Sequence, residues 1–295
     1  MAENSSISWT DHTFNAWIGC HKVSPGCKFC YAEAYAERWG LAEWGPNSNR
    51  HLTADSTWAK PLAWNKTAQA NNKRFRVFCS SLSDIMEDNP QVSEWRNRLF
   101  ALIEQTPHLD WLLLTKRPEN YPRFLPEKWQ SNFPHNVWLG TTICNQEEYD
   151  KKYPAFHNLL RTFLSPVYFV SFEPLLGPIT LHSGAPNWSI IGGESGFLKY
   201  ARKMELEWVK HLIKQLKSKD ETNPYVKYNI FFKQMGAHLA KVLRMDDKKG
   251  EFGVDKLPPA YDWLKIREVP IVHSYCYYSL KKESSPAISE QTTLF

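Results

Sequence analysis

Six short apolar runs between Arg74 and Gly236 constrain the fold most, because each is rich in β-branched and aromatic residues and each stops abruptly at polar residues or glycine. They are "RFRVFCSSLSD" (74–84), "LDWLLLTKRP" (109–118), "NVWLGTTICN" (136–145), "VYFVSFEPLLGP" (167–178), "WSIIGGESG" (188–196) and "YNIFFKQMG" (228–236). Near-continuous apolar character over so short a length suits strands covered on both faces, as in a parallel sheet. Between several of them lie stretches such as "SEWRNRLFALIEQTP" (93–107) and "MELEWVKHLIKQLKSK" (204–219), whose apolar residues recur at three- and four-residue steps and so predict helices. With "TFNAWIGC" (13–20) as a first strand, about seven β/α units make an α/β chain. Its leading architecture is a (β/α) barrel, partial or open, and a doubly wound sheet is second.

At 295 residues and 42% hydrophobic, the chain can bury one large barrel or two small domains. No strong boundary divides it, so the barrel is expected over 1–276, with a flexible tail over 277–295. Candidate insertions are the Trp-rich segment 39–66, after the cysteines, and the region 237–270, whose charges, Gly and Pro are those expected of a surface loop. No run of eighteen apolar residues occurs, and "MAENSSISWTDHTF" lacks the features of a secretory signal, which predicts a cytoplasmic protein without a membrane span. The net charge of +5 permits a polyanionic partner.

Cys20, Cys27 and Cys30 fall within the stretch "GCHKVSPGCKFCYAE" (19–33), while Cys79, Cys144 and Cys276 are scattered singly. A tight cluster in a reducing compartment marks a metal or catalytic site more often than a disulfide framework. Two readings fit the spacing. Zinc would need a histidine such as His21 or His12 as fourth ligand. A [4Fe–4S] cluster on three thiolates leaves one iron open and is poised for one-electron chemistry.

The loop, with Phe29 before its last cysteine, resembles that of the radical S-adenosylmethionine superfamily, although its first gap is six residues where the common pattern has three. The stretch from Trp9 to about Pro270 is similar to a phage-associated family of three-cysteine proteins recognised by "SPGCxxCYA", "SFEPLLGP" and "GGESG". The resemblance implies an enzyme in which Cys20, Cys27 and Cys30 hold a [4Fe–4S] cluster whose open iron chelates S-adenosylmethionine. Electrons from a donor such as flavodoxin or ferredoxin would cleave that cofactor to a 5′-deoxyadenosyl radical.

In a β/α barrel the ligand-facing residues sit at the carboxyl ends of the strands. Those ends are polar here. Ser81 and Lys116 are candidates for the methionine end of the cofactor, Thr142 for a further cofactor contact, and Glu173 or Glu194 for the ribose or substrate. A Lys116–Glu173 ion pair at the barrel mouth is the competing reading of those two. Cys79 and Cys144, near strand ends, are either hydrogen-atom donors to a radical or small core residues.

The last five residues, Gln291 to Phe295, present a glutamine, two spacers, Leu294 and Phe295. They resemble the peptide with which bacterial DNA polymerases and repair proteins dock into the sliding clamp. Together with the basic balance, this directs the expected chemistry to DNA, with lesion repair in the manner of the spore photoproduct lyase branch as the first reading. The alternatives are radical modification of normal bases or of a protein, and a non-enzymatic zinc-binding DNA adaptor recruited by the clamp.

Overall fold

The structure is a computed structural model that describes residues 5–196, 198–222, 227–245 and 254–272. Among these residues the strands are β1 (His12–Phe14), β2 (Trp17–Ile18), β3 (His51–Leu52), β4 (Phe75–Cys79), β5 (Leu109–Thr115), β6 (Val137–Thr142), β7 (Tyr168–Phe172), β8 (Trp188–Gly192) and β9 (Asn229–Gln234). All except β2 and β3 form one sheet in the order β1-β4-β5-β6-β7-β8-β9, and every neighbouring pair is parallel. Spatial order follows chain order without reversal, whereas a doubly wound sheet needs a point at which the order switches. The sheet curls into a half-barrel, so the fold is an open (β/α) barrel.

Alternation along the strands divides the core in two. Val77, Cys79, Leu113, Leu139, Val170, Phe172, Ile191 and Phe232 pack into the layer shared with the helices. Phe78, Leu112, Trp138, Phe169, Trp188, Ile190 and Phe231 form a separate inner cluster. Trp9 joins that cluster, its ring 4.8 Å from Phe78 and 5.9 Å from Trp188.

No described strand joins β9 back to β1. Instead Phe231 bridges to Arg267, the Phe232 amide donates to the Ile266 carbonyl at 2.9 Å, and Arg267 Nη1 donates to Ser8 Oγ at 3.1 Å. Ile7, Val269 and Val272 pack against the inner cluster, so chain segments rather than strand pairing cover the exposed edge.

Two expectations change. The run 13–20 is not one strand: His12–Phe14 pairs with β4, and Trp17–Ile18 leaves the sheet to pair antiparallel with His51–Leu52. Segment 237–270 is not simply a surface loop, because it opens on the helix Gly236–Val242 and buries Val254, Leu257 and Leu264 in the core. The Trp-rich segment carries β3 and the start of the crossover to β4, with Trp58 and Trp64 buried on helices Asp55–Trp58 and Lys60–Ala70. The tail 277–295, with Gln291, Leu294 and Phe295, lies outside the described residues.

Candidate functional site

A cavity of about 590 Å³ opens at the carboxyl ends of the strands. Cys20, Cys27 and Cys30 all line it, together with Ser81, Lys116 and Glu173 from three strand ends. Local chemistry explains how the cysteine loop is held. Ser24 Oγ accepts the Gly26 amide at 3.0 Å and caps the short turn Pro25–Cys27. Cys30 then begins the helix Tyr31–Trp39, where Tyr31 donates its hydroxyl to the Ser81 carbonyl at 3.0 Å. Gly26 lies against the loop's support: a Cβ there would meet Pro174 Cδ at 3.4 Å and Cys144 Cβ at 3.8 Å.

Beside Cys20 sits a buried charge network. Asp84 accepts from Thr115 Oγ1 at 2.6 Å, the Met86 amide at 3.0 Å, the Lys116 amide at 3.0 Å and Arg117 Nη1 at 2.7 Å. Burial alone would raise its carboxyl, but Arg117 and these bonds hold it below the usual carboxylate range. The same Arg117 Nη1 stands 3.8 Å from Cys20 Sγ, and Nη2 donates to the His21 carbonyl at 3.1 Å. Behind His21, Nδ1 lies 2.6 Å from Glu87, which is also clamped by Arg50 Nε at 2.9 Å and Nη2 at 2.6 Å. Burial pushes the Cys20 thiol up to about 12, with Asp84 raising it further and Arg117 opposing. Burial works against the charge of Lys116, yet the fields of Cys27, Cys30, Asp84 and Cys20 raise its pKa above the ordinary lysine value.

The remaining candidates are placed differently. Glu173 does not pair with Lys116; Lys233 Nζ donates to its two oxygens at 2.7 and 2.9 Å, and Gln234 Nε2 donates at 2.5 Å. Glu194 is buried and does not line the cavity. Its carboxylate accepts from the Arg202 amide at 2.7 Å, Nε at 2.9 Å and Nη2 at 2.5 Å, while Arg202 Nη1 reaches the Pro25 carbonyl at 3.0 Å. Glu194 therefore steadies the cysteine loop through Arg202. The neighbouring glycine has a packing reason, because a Cβ on Gly193 would stand 2.4 Å from the Met235 carbonyl oxygen. Thr142 is buried and also does not line the cavity. Cys79 belongs to the helix-facing core, and burial raises its thiol pKa. Cys144 lies beneath the cysteine loop with Sγ 2.9 Å from Glu148 Oε2; burial and that carboxylate push its thiol up to about 12.

Arg117, Asp84, Arg202, Asn15 and Lys233 are the residues that sequence reasoning left unassigned. Asn15 donates to Ser81 Oγ at 3.1 Å and accepts the Leu82 amide at 2.7 Å, joining β1 to the serine turn. "TKRP" and "FKQ" at strand ends signalled Arg117 and Lys233, whereas nothing near Arg202 signals its reach to residue 25.

The donor set fits the two metal readings unequally. A single zinc ion needs four ligands converging within about 2.0–2.3 Å. Among the described residues, no group of three or more His, Cys, Asp or Glu side chains, the three thiols included, is gathered tightly enough to hold a single metal ion. His12 stacks on Trp64 with ring centroids 4.2 Å apart, and His21 Nδ1 is taken by Glu87. Three thiols on one loop, facing a roomy cavity with Lys116 and Arg117 close by, fit a larger anionic cluster, whose thiolates need not meet at one point.

No helix among the described residues is long and apolar enough to cross a membrane. No curated protein matches the sequence. The fold is similar to a solved structure of a spore photoproduct lyase point mutant, at 11% identity and a TM-score of 0.45, covering 79% of this chain. The chain spans 58% of that protein's length. A family model described as "Protein of unknown function (DUF5131)" matches residues 4–257, well over half of the chain, and the protein therefore belongs to the DUF5131 family.

Proposed function

We propose that the protein is a radical S-adenosylmethionine enzyme in which Cys20, Cys27 and Cys30 hold a [4Fe–4S] cluster. The observation that carries this reading is the gathering of all three thiols, Ser81, Lys116 and Glu173 around one cavity at the carboxyl edge of an open β/α barrel. When bound, cluster and cofactor together supply one-electron cleavage of a sulfonium and a hydrogen-abstracting carbon radical.

The chain's own residues do the rest. Lys116 makes no ion pair among the described residues, so its ammonium is available to an anionic group in the cavity such as a carboxylate. Glu173, held by Lys233 and Gln234, presents a fixed acceptor on the facing wall for a hydroxyl or amino group. Arg117 places positive charge beside Cys20 and offsets the charge of a thiolate there. Arg202 and Ser24 keep the loop's shape while its thiols are engaged.

Nucleic acid, foremost damaged DNA, is the substrate class we propose, supported by the basic balance and by the clamp-like sequence ending at Phe295. A duplex would have to expose its base, at an unstacking cost of about a few kcal/mol that falls at a lesion. Calorimetric titration of reconstituted protein with S-adenosylmethionine tests the assignment. Lys116→Met should weaken binding about tenfold or more, with an unchanged thermal midpoint. Wild-type affinity in that variant would remove Lys116 from the site.

A further inference from the structure

We infer that the helix Tyr31–Trp39 carries a stacking platform for single-stranded nucleic acid, leading from the surface into the cavity. The inference rests on reading the cavity as a catalytic site for nucleic acid. Tyr31, Tyr35 and Trp39 recur at four-residue steps and so form one stripe on the helix. Their exposures are 52%, 47% and 60%, although the same helix buries Ala32 and Ala36 against the body of the protein. Tyr31 and Tyr35 line the cavity, and the Tyr35 and Trp39 rings lie 6.3 Å apart, so the stripe is continuous from the cavity wall to the outer surface.

Charge along the stripe is arranged for a polyanion. Arg38 lies beside it, with its guanidinium 5.6 Å from the Trp39 ring. The acidic residues of the helix, Glu33 and Glu37, are each two residues from a ring position and therefore point to the far side. Glu33 is in addition neutralised by Lys22 at 2.6 Å. Across the cysteine loop the pattern repeats: Phe29 stacks with Tyr200 at 5.9 Å, with Lys28 and Lys199 over the two rings. Rings interleaved with cations, all exposed except the half-buried Phe29, suit unstacked bases with their phosphates alongside. A closed duplex hides its base faces and would leave the rings without partners, so the platform selects single-stranded or locally opened strands.

The test is fluorescence anisotropy of a labelled mixed-sequence single-stranded 20-mer and of the matching duplex, titrated with the full-length protein at low and moderate salt. Single strand should bind more tightly than duplex, and added salt should weaken both. Tyr35→Ala and Trp39→Ala should each cost about tenfold for the single strand, while Trp39→Phe restores most of the affinity. The two side chains are 47% and 60% exposed, so the variants should melt with the wild type. The assay reads neither iron nor turnover, which keeps its failure separate from a failure of the cluster assignment. Wild-type affinity in the Tyr35→Ala, Trp39→Ala double variant, or equal binding of duplex and single strand, would overturn the inference. So would absence of oligonucleotide binding at low salt.

Discussion

Asp84→Asn should be among the most damaging single changes near the site, and its size follows from the bonds it alters. The carboxylate accepts from Thr115, Met86, Lys116 and Arg117, and the side chains of Asp84 and Arg117 are 7% and 6% exposed. An amide keeps one acceptor oxygen, so the Thr115 and Met86 bonds can survive. Its nitrogen then faces two donors, the Lys116 amide and the Arg117 guanidinium, and the buried cation loses its counterion. Removing one partner of a buried pair costs about 3–5 kcal/mol. At roughly 2–4 °C per kcal/mol for a chain approaching this size, the midpoint should fall by about 6–20 °C. The assay is thermal and denaturant unfolding across a double-mutant cycle with Arg117→Met. The double variant should be less destabilised than the two single losses added together, because the second change removes the stranded charge. The pH dependence has a defined sign. The Asp84 carboxyl is held below its usual value, so its contribution is present above the unfolded-state pKa of about 3.9 and is lost as pH falls through the lower folded value. Wild type and Asp84→Asn should therefore converge in stability in acid. A difference under about 1 kcal/mol at neutral pH, or simple additivity in the cycle, would refute this reasoning.

Gly140→Ala should destabilise by about 1–3 kcal/mol in denaturant unfolding, because the new Cβ would lie 2.2–2.5 Å from three ring atoms of Phe169. Arg202→Gln should leave the fold intact but loosen the loop at Pro25, seen as faster loss of iron to a chelator from reconstituted protein than in the wild type. Cys144→Ala should keep its cluster and mainly lower the melting midpoint, since the thiol sits beneath the loop and outside the cavity lining.

The parallel strands were legible because each is apolar on both faces, and the helices because their apolar residues keep a helical step. β1 was harder: "TFNAWI" reads as one run, and only the distant partner His51–Leu52 shows that the chain turns out of the sheet after Phe14. The cysteine loop, Ser81, Lys116 and Glu173 were visible as polar ends of apolar runs, and the fold brings them to one cavity. What stayed hidden was the pairing among charges. Nothing local says that Glu173 is held by Lys233 rather than Lys116, or that Glu194 is spent on Arg202. Nor does a strand end reveal parity: Cys79 and Ser80 are adjacent, yet Cys79 belongs to the helix-facing core while Ser80 lines the cavity. The Lys233–Glu173 pair joins residues 60 apart, the Glu194–Arg202 pair depends on how the loop between them folds back, and the parity of Cys79 and Ser80 depends on sheet curvature.

The most direct measurement is the iron and acid-labile sulfide content of anaerobically purified and reconstituted protein, taken with its reduced electron paramagnetic resonance spectrum with and without S-adenosylmethionine. The expected result is about four irons and four sulfides per chain, a cluster signal that changes when the cofactor is added, and loss of the cluster in Cys20→Ala, Cys27→Ala and Cys30→Ala. Stoichiometric zinc without sulfide, or a cluster retained after any one of those three substitutions, would contradict the assignment of the cavity.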